Sequence, residues 1–272
     1  MKTAVIIGGN SGIGKATAKA LAAKQYRVII HGRNPEKTKA ALEEIKTASK
    51  NSNVEAVVGD FNTIAGMKKT AAEIQSKTDV IDILVLSTGV IYNKRIETPD
   101  GLEAAFVGQY LGRFALTQLL MPQLKKSQFA RIAMVGAPTM KKAKIHFEDI
   151  SLKNKFSMMT SMGQAMLSSH LFVQEFAKRH KNENVVMNIH HVGIAKTGVT
   201  REISPFLRGM FNLIGTSADK AAKNTVYLAD NDEVKFSGYF LPKPGKPEKK
   251  NLIQFDAALA EKLWDYSLGL IK

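Results

Sequence analysis

Gly8-Gly9-Asn10-Ser11-Gly12-Ile13-Gly14 follows directly on the apolar run Thr3–Ile7 and opens the helical pattern Gly14–Lys24. Glycines at 8, 12 and 14 permit a tight turn and let the backbone close on a bulky anion. The first turn of the next helix offers that anion unpaired N–H groups and a favourable dipole. A glycine pattern alone is a weak signal, since an ordinary strand-to-helix turn reads the same way. Here the strand before it, the helix after it and a further strand at Arg27–His31 supply the context in which such a turn cradles a dinucleotide pyrophosphate.

Outward from that unit, β-branched runs alternate with helical patterns almost to the C-terminus. The strand-like runs are Thr3–Ile7, Arg27–His31, Val54–Val58, Ile83–Leu86, Arg131–Val135, Val185–His190 and Phe236–Phe240. The helix-like stretches include Glu36–Ala48, Gly66–Lys77, Gly101–Lys125, Ser157–His180, Ala218–Leu228 and a last amphipathic one at Asp256–Ile271. This order predicts an α/β fold: a Rossmann-type doubly wound parallel sheet of about seven strands with helices on both faces. No repeat, low-complexity linker or composition break divides the 272 residues. Residues 1–272 therefore read as one domain, with 1–135 mainly the dinucleotide-binding half and 136–272 the substrate-cleft half. Lys243–Lys250, rich in Pro and Lys, reads as a solvated loop.

A hydrophobic share of 44% with 23% charged residues excludes a disordered chain or a fibre. The absence of Cys excludes disulfides and thiolate-bound zinc, and no other metal-ligand spacing occurs, so no metal site is expected. The excess of 39 Lys+Arg over 24 Asp+Glu is dispersed in short runs such as Lys68-Lys69, Lys141-Lys142 and Lys249-Lys250. Without a recognition helix or an aromatic RNA-binding strand, that charge predicts no nucleic-acid partner. The first strand begins by Thr3, which leaves no room for a leader. The longest uncharged stretch, Phe156–Gln174, holds too much Ser, Thr, Gln and His to face lipid. The expectation is a cytoplasmic protein with no membrane partner.

Where a site for NAD(H) carries an acid at the end of the second strand, this chain reads His31-Gly32-Arg33-Asn34. The Arg33 guanidinium can fork onto a ribose 2′-phosphate, which favours NADP(H). Gly8, Asn10, Ser11, Gly12, Ile13, Gly14 and Arg33 are thus the first candidate cofactor residues.

These residues resemble the short-chain dehydrogenase/reductase family, in particular its retinol-dehydrogenase-like branch, over nearly the whole chain. Gly8, Gly12 and Gly14 match the family turn, with Ile7 where Thr is usual. Thr98–Glu103, Leu111-Gly112 and Phe114 resemble its long central helix. Ile145–Ile150 resembles the segment leading to its active-site helix, and Ser237–Phe240 with Leu263-Trp264 its C-terminal end. The resemblance implies that Asp60, Phe61, Gly89, Gly193 and Thr197 join the cofactor set, and it implies a homodimer or homotetramer through two long helices.

The family's chemistry does not carry over. Its proton-donating Tyr falls on Met162, its Lys on Met166, its substrate-binding Ser on Ala137, and the Asn of its central helix on Gln109. No Tyr lies between Tyr110 and Tyr227, so a shifted alignment does not restore the donor. A thioether and a methyl group transfer no protons near pH 7. Met158, Met162 and Met166 recur every four residues on one helix face, and six of the eleven methionines lie between Met134 and Met166. With Met140 and Tyr92 they are candidate linings of a large apolar cleft, although such a stripe also reads as plain core. Tyr92 is a candidate substitute catalytic group, while His146, His170, His190 and His191 read as structural. The expected ligand is a small apolar molecule. The expected protein is an atypical oxidoreductase or a repurposed non-redox enzyme of cyclase or isomerase type, with NADP(H) either consumed or held structurally. The alternative is a non-catalytic NADP(H)- or ligand-binding pseudoenzyme with a regulatory role.

Overall fold

A β-strand buried on both faces needs apolar residues at every position, and the runs at the centre of this chain have that character. A computed structural model describes residues 1–193, 215–247 and 249–272. The strands are β1 (Thr3–Ile7), β2 (Arg27–Gly32), β3 (Val54–Val58), β4 (Ile83–Leu86), β5 (Ala130–Gly136), β6 (Val185–His191), β7 (Tyr239–Leu241) and β8 (Asn251–Leu252). They form one sheet in the order β3-β2-β1-β4-β5-β6-β7-β8. All neighbours through β7 pair parallel, and β8 pairs antiparallel with β7.

The sheet is therefore doubly wound, as expected, but it has eight strands. Lys243–Lys250 connects a hairpin instead of leading straight to the last helix. Asn251 and Leu252 are both exposed, so the added strand carries no hydrophobic period by which the sequence could announce it. The seventh strand also begins later than Phe236.

Alternation sorts the side chains of each strand between two cores. Val5, Ile7, Ile29, Leu84, Leu86 and Met134 face α3 (Ile64–Lys77), α5 (Gly112–Lys125), α6 (Met158–Arg179) and α8 (Ala257–Ile271). Ala4, Ile6, Val28, Ile30, Val85 and Ala133 face α1 (Gly12–Ala23), α2 (Pro35–Ser49) and α7 (Ala218–Asp230). Side chains cap most of the helix N-termini. Asn34 accepts from Lys37 N at 2.8 Å, Thr63 from Gly66 N at 3.0 Å, Ser157 from Thr160 N at 3.0 Å, and Asp256 from Ala258 N at 2.9 Å.

The central helix departs from the unbroken Gly101–Lys125 expected. Gly101 turns with φ at 75°, and the helix starts as α4 (Ala104–Phe106), capped by the buried Glu103 carboxylate on Ala105 N and Phe106 N. A π-helical turn (Val107–Leu111) then precedes α5. Such a turn releases carbonyls from the helical ladder. Here Thr88 Oγ1 donates to Gly108 O at 3.0 Å, and Ser169 Oγ donates to Gln109 O at 3.1 Å. One turn on, Gly112 presses against the Phe61 ring so closely that a Cβ would overlap it.

Two glycines of one helix thus make a paired test. Gly112→Ala is expected to lower stability by about 1–3 kcal/mol through overpacking on Phe61. Gly108→Ala, whose Cβ would meet nothing within 4 Å, should stay within about 1 kcal/mol of the parent. Urea unfolding midpoints of the two variants check the contrast.

Candidate functional site

The turn after β1 is shaped by contacts that exclude side chains. Gly8 and Gly12 have φ of 83° and 52°. A Cβ on Gly14 would overlap Gly8 O and Ser87 Oγ, and one on Gly8 would stand 3.0 Å from Ser87 Oγ. Ser87 Oγ itself donates to Ile7 O at 2.7 Å, which ties the ends of β4 and β1 together. Asn10 Nδ2 donates to Thr38 Oγ1 at 3.0 Å, directly above Gly32, where a Cβ would overlap both side chains. Ser11 occupies the N-cap of α1, yet its side chain makes no capping hydrogen bond. The first N–H groups of α1 are thus left to an external acceptor. Ile13 turns its side chain into a small cluster with Ala16, Val135, Ala221 and Ala222, so it offers only backbone to the turn.

On the β2–β3 side, Arg33 is exposed and pairs with no acid among the described residues. Gly59 N donates to Gly32 O at 3.2 Å and brings Asp60 beside that strand end. Asp60 is exposed and accepts from Asn62 N at 3.0 Å. Phe61 differs from its neighbours in the candidate set: its ring is core, against Gly112 and 5.8 Å from the His31 ring. Burial pulls His31 down to about 4, against a weaker opposing hydrogen bond with Gly59 O at 3.1 Å.

On the opposite side of the turn lie Gly89 after β4, Ala137 after β5 and Gly193 after β6, the last with φ at 71°. Thr197 lies outside the described residues. Gln109 sits in the π turn, and its amide donates to Val90 O at 3.0 Å. Met158, Met162 and Met166 lie half-buried along α6. Met140 Sδ comes within 3.5 Å of where a Cβ on Gly163 would stand, which places the loop after β5 against that helix. Tyr92 is half-buried in the loop after β4. Met134, in contrast, belongs wholly to the core under β5.

Two of the nearby histidines lie within hydrogen-bond distance of buried neighbours. His170 Nε2 lies 2.9 Å from Ala137 O, and burial lowers its pKa. His190 Nε2 lies 2.8 Å from Thr225 Oγ1, and burial pulls it down to about 4. Two surface hollows lie away from this edge, one lined by Lys24, Tyr227 and Asp230, the other by Ala16, Ala20, Asp219 and Ala222. In the first, Asp230 is already engaged by Lys24, Lys2 and Tyr26, and the second is open helix surface, so the strand-end turn is the better site. Among the described residues no cluster of His, Asp and Glu could hold a metal, and no helix is long and apolar enough to cross a membrane.

Sequence reasoning passed over Arg113, Ser169 and Glu103. A lone charge inside the otherwise apolar stretch from Leu111 to Leu116 was the signal for Arg113.

A doubly wound sheet with an open helix terminus at its topological switch point defines a dinucleotide-binding class of protein. Residues 2–148 match the short chain dehydrogenase family model, and the chain belongs to that family. It is similar to retinol dehydrogenase 14 of Mus musculus, 30% identical over 293 residues that cover 100% of this chain and 87% of the relative. Among solved structures, a protein from Mycobacterium paratuberculosis superposes with a TM-score of 0.78 at 25% identity, covering 100% of this chain and 93% of that one. A 3-oxoacyl-(acyl-carrier-protein) reductase from Agrobacterium tumefaciens, solved with NADP bound, shares the fold at a TM-score of 0.70 and 20% identity, covering 90% and 93%.

The buried imidazoles give the fold a signed pH dependence. The unfolded chain protonates His31 and His190 near pH 6.5, the folded chain only near pH 4. The unfolded state therefore binds more protons between those values, and stability is lost as pH falls through that window. Each imidazole should remove about 2 kcal/mol between pH 7 and pH 5. Urea unfolding at the two pH values checks this, and His190→Gln should remove about half of the difference, leaving the His31 share.

Proposed function

We propose that this short-chain dehydrogenase binds NADP(H) together with a small apolar molecule, and that ordinary carbonyl or alcohol redox by the family mechanism is disabled in it. The observation that carries the cofactor reading is the exposed, unpaired Arg33 standing beside the uncapped N-terminus of α1. Gly8, Asn10, Ser11, Gly12, Ile13 and Gly14 would hold the pyrophosphate, largely through backbone. Arg33 would take the 2′-phosphate, and Asp60, Phe61, Gly89, Gly193 and Thr197 would complete the set. In this reading residues 1–135 mainly serve the cofactor and 136–272 the apolar ligand. The NADP held by the Agrobacterium reductase supports the first part. Retinol in the name of the mouse relative, an apolar alcohol, supports the second.

Bound NADPH supplies a hydride; a carbonyl that accepts it also needs a proton. On the proposed alignment Met162, Met166 and Ala137 furnish none. Burial keeps His170 neutral, and it lies within hydrogen-bond distance of Ala137 O. Ser169 Oγ, whose proton can go to Gln109 O at 3.1 Å or to Ala165 O at 3.0 Å, stands against the carbonyl at the proposed Asn position. These bonds favour a binding or regulatory role, or non-redox work on a ligand lying against Met140, Met158, Met162 and Met166. The half-buried Tyr92 is the remaining candidate donor.

Arg33→Ala should weaken NADPH binding by about tenfold or more and leave NADH binding unchanged, because a charge-assisted fork contributes roughly 1.5–3 kcal/mol. Equal losses for both cofactors would sink the 2′-phosphate assignment. The wild-type protein should consume NADPH with a panel of apolar aldehydes only at a trace rate. The triple variant Ala137→Ser, Met162→Tyr, Met166→Lys should gain activity by about 10²-fold or more over it. Wild-type turnover matching that of the triple variant would refute the disabled-site reading.

A further inference from the structure

Arg113, the second residue of α5, carries a fully enclosed guanidinium with no ion pair to any described residue. Its donors go to uncharged groups at the ends of two strands. Nη1 donates to Val135 O at 2.7 Å, Nη2 to Thr88 O, and Nε makes a long contact with Thr88 Oγ1 at 3.5 Å. These use three of its five N–H groups. Burial draws the group down to about 9, which leaves it cationic at neutral pH. A buried cation without a counter-ion is costly, and carbonyl dipoles offset that cost only in part.

Its position gives the charge a direction. Ser87 forms the wall against Gly8 and Gly14, Thr88 is the next residue, and Arg113 Nη2 lies 3.5 Å from where a Cβ on Gly89 would stand. The guanidinium therefore lies under the ridge formed by the ends of β4 and β5. Arg33 and Asp60 lie on the other side of the switch point, at the ends of β2 and β3. A dinucleotide with its pyrophosphate at α1 and its 2′-phosphate at Arg33 extends its nicotinamide half over the β4–β5 ridge.

The phosphates are the same in both redox forms of the cofactor. Only the ring differs, cationic when oxidised and neutral when reduced. A fixed buried cation repels the first and not the second. No described carboxylate opposes it. Burial lowers the pKa values of His170, His190 and His191 around this ridge, and the Arg113 charge adds to the lowering at His190.

We infer that Arg113 sets the redox preference of the cofactor site, favouring reduced, uncharged nicotinamide over the oxidised, cationic form. The inference rests on the NADP(H) binding proposed above. It is tested by dissociation constants for NADPH, from its fluorescence, and for NADP+, by competition, with the intact chain. The wild-type protein is expected to bind NADPH about tenfold or more tighter than NADP+. Each tenfold in that ratio equals about 30 mV in the potential of the bound two-electron couple. Arg113→Met should bring the ratio to about threefold or less, and Arg113→Lys should preserve it. A fold-independent measurement on the wild type accompanies these: raising the salt concentration should leave the ratio unchanged, since a buried charge is poorly screened. A wild-type ratio near one, a ratio that collapses with salt, or an Arg113→Met variant that keeps the wild-type ratio overturns the role of Arg113. Binding of neither form by the wild type refutes the NADP(H) reading itself, and the inference falls with it.

Discussion

The close approach of Gly14 to Gly8 O and Ser87 Oγ is the contact on which the rest of this edge of the sheet depends. It brings the axis of α1 onto the gap between β1 and β4, where the winding direction reverses. The helix terminus then points at open strand ends, where an anion can reach it. With α1 so placed, Ile13 reaches Val135 at the end of β5 and Ala221 and Ala222 on α7. Asn10 meets Thr38 across Gly32, which also fixes where the chain leaves β2 for Arg33. One backbone contact thereby sets the turn, the strand end carrying Arg33 and the packing of a helix more than 200 residues later. A side chain at position 14 would move all three together.

A second constraint operates on the far side of the switch. The π turn at Val107–Leu111 releases carbonyls in the middle of the molecule, and buried carbonyls need donors. Thr88 and Ser169 supply them, one from the end of β4 and one from α6. The turn is therefore also a junction. It links the strand end bearing Gly89 to the helix bearing Met162 and Met166. Arg113 extends the link to β5, and Glu103 bonds with Ser161 of α6 while capping the first turn of the central helix.

The sequence made the strand–helix alternation, the parallel sheet and the phosphate turn readable because each rests on local pattern: apolar runs, helical spacing and glycines where a Cβ does not fit. The exposed place of Arg33 was readable for the same reason, since it stands one step past β2. The features that were not readable depend on partners distant in sequence. The π turn hides inside the continuous helical spacing of Gly101–Lys125, and only Thr88 and Ser169 make it tolerable. β8 is two exposed residues held by Tyr239 and Phe240. Phe61 joins the cofactor candidates by resemblance alone, whereas Gly112, 51 positions later, provides the gap that draws its ring inward.

The separation of these two systems explains how one chain can keep the family scaffold while its proposed proton-handling positions differ. The turn, α1 and Arg33 are held by glycines, by Asn10 with Thr38 and by Ser87 with Ile7. None of those contacts involves α6. That helix is held instead by its Ser157 cap, by Gln164 between His146 N and Ile150 O, and by His170 on Ala137 O. Met162 and Met166 contribute none of these bonds. A thioether at either position leaves every one of these anchors of α6 in place, and on the proposed alignment it avoids the desolvation of a half-buried phenol and ammonium. The side chains at positions 162 and 166 can therefore change without loosening either the glycine turn or the helix that carries them.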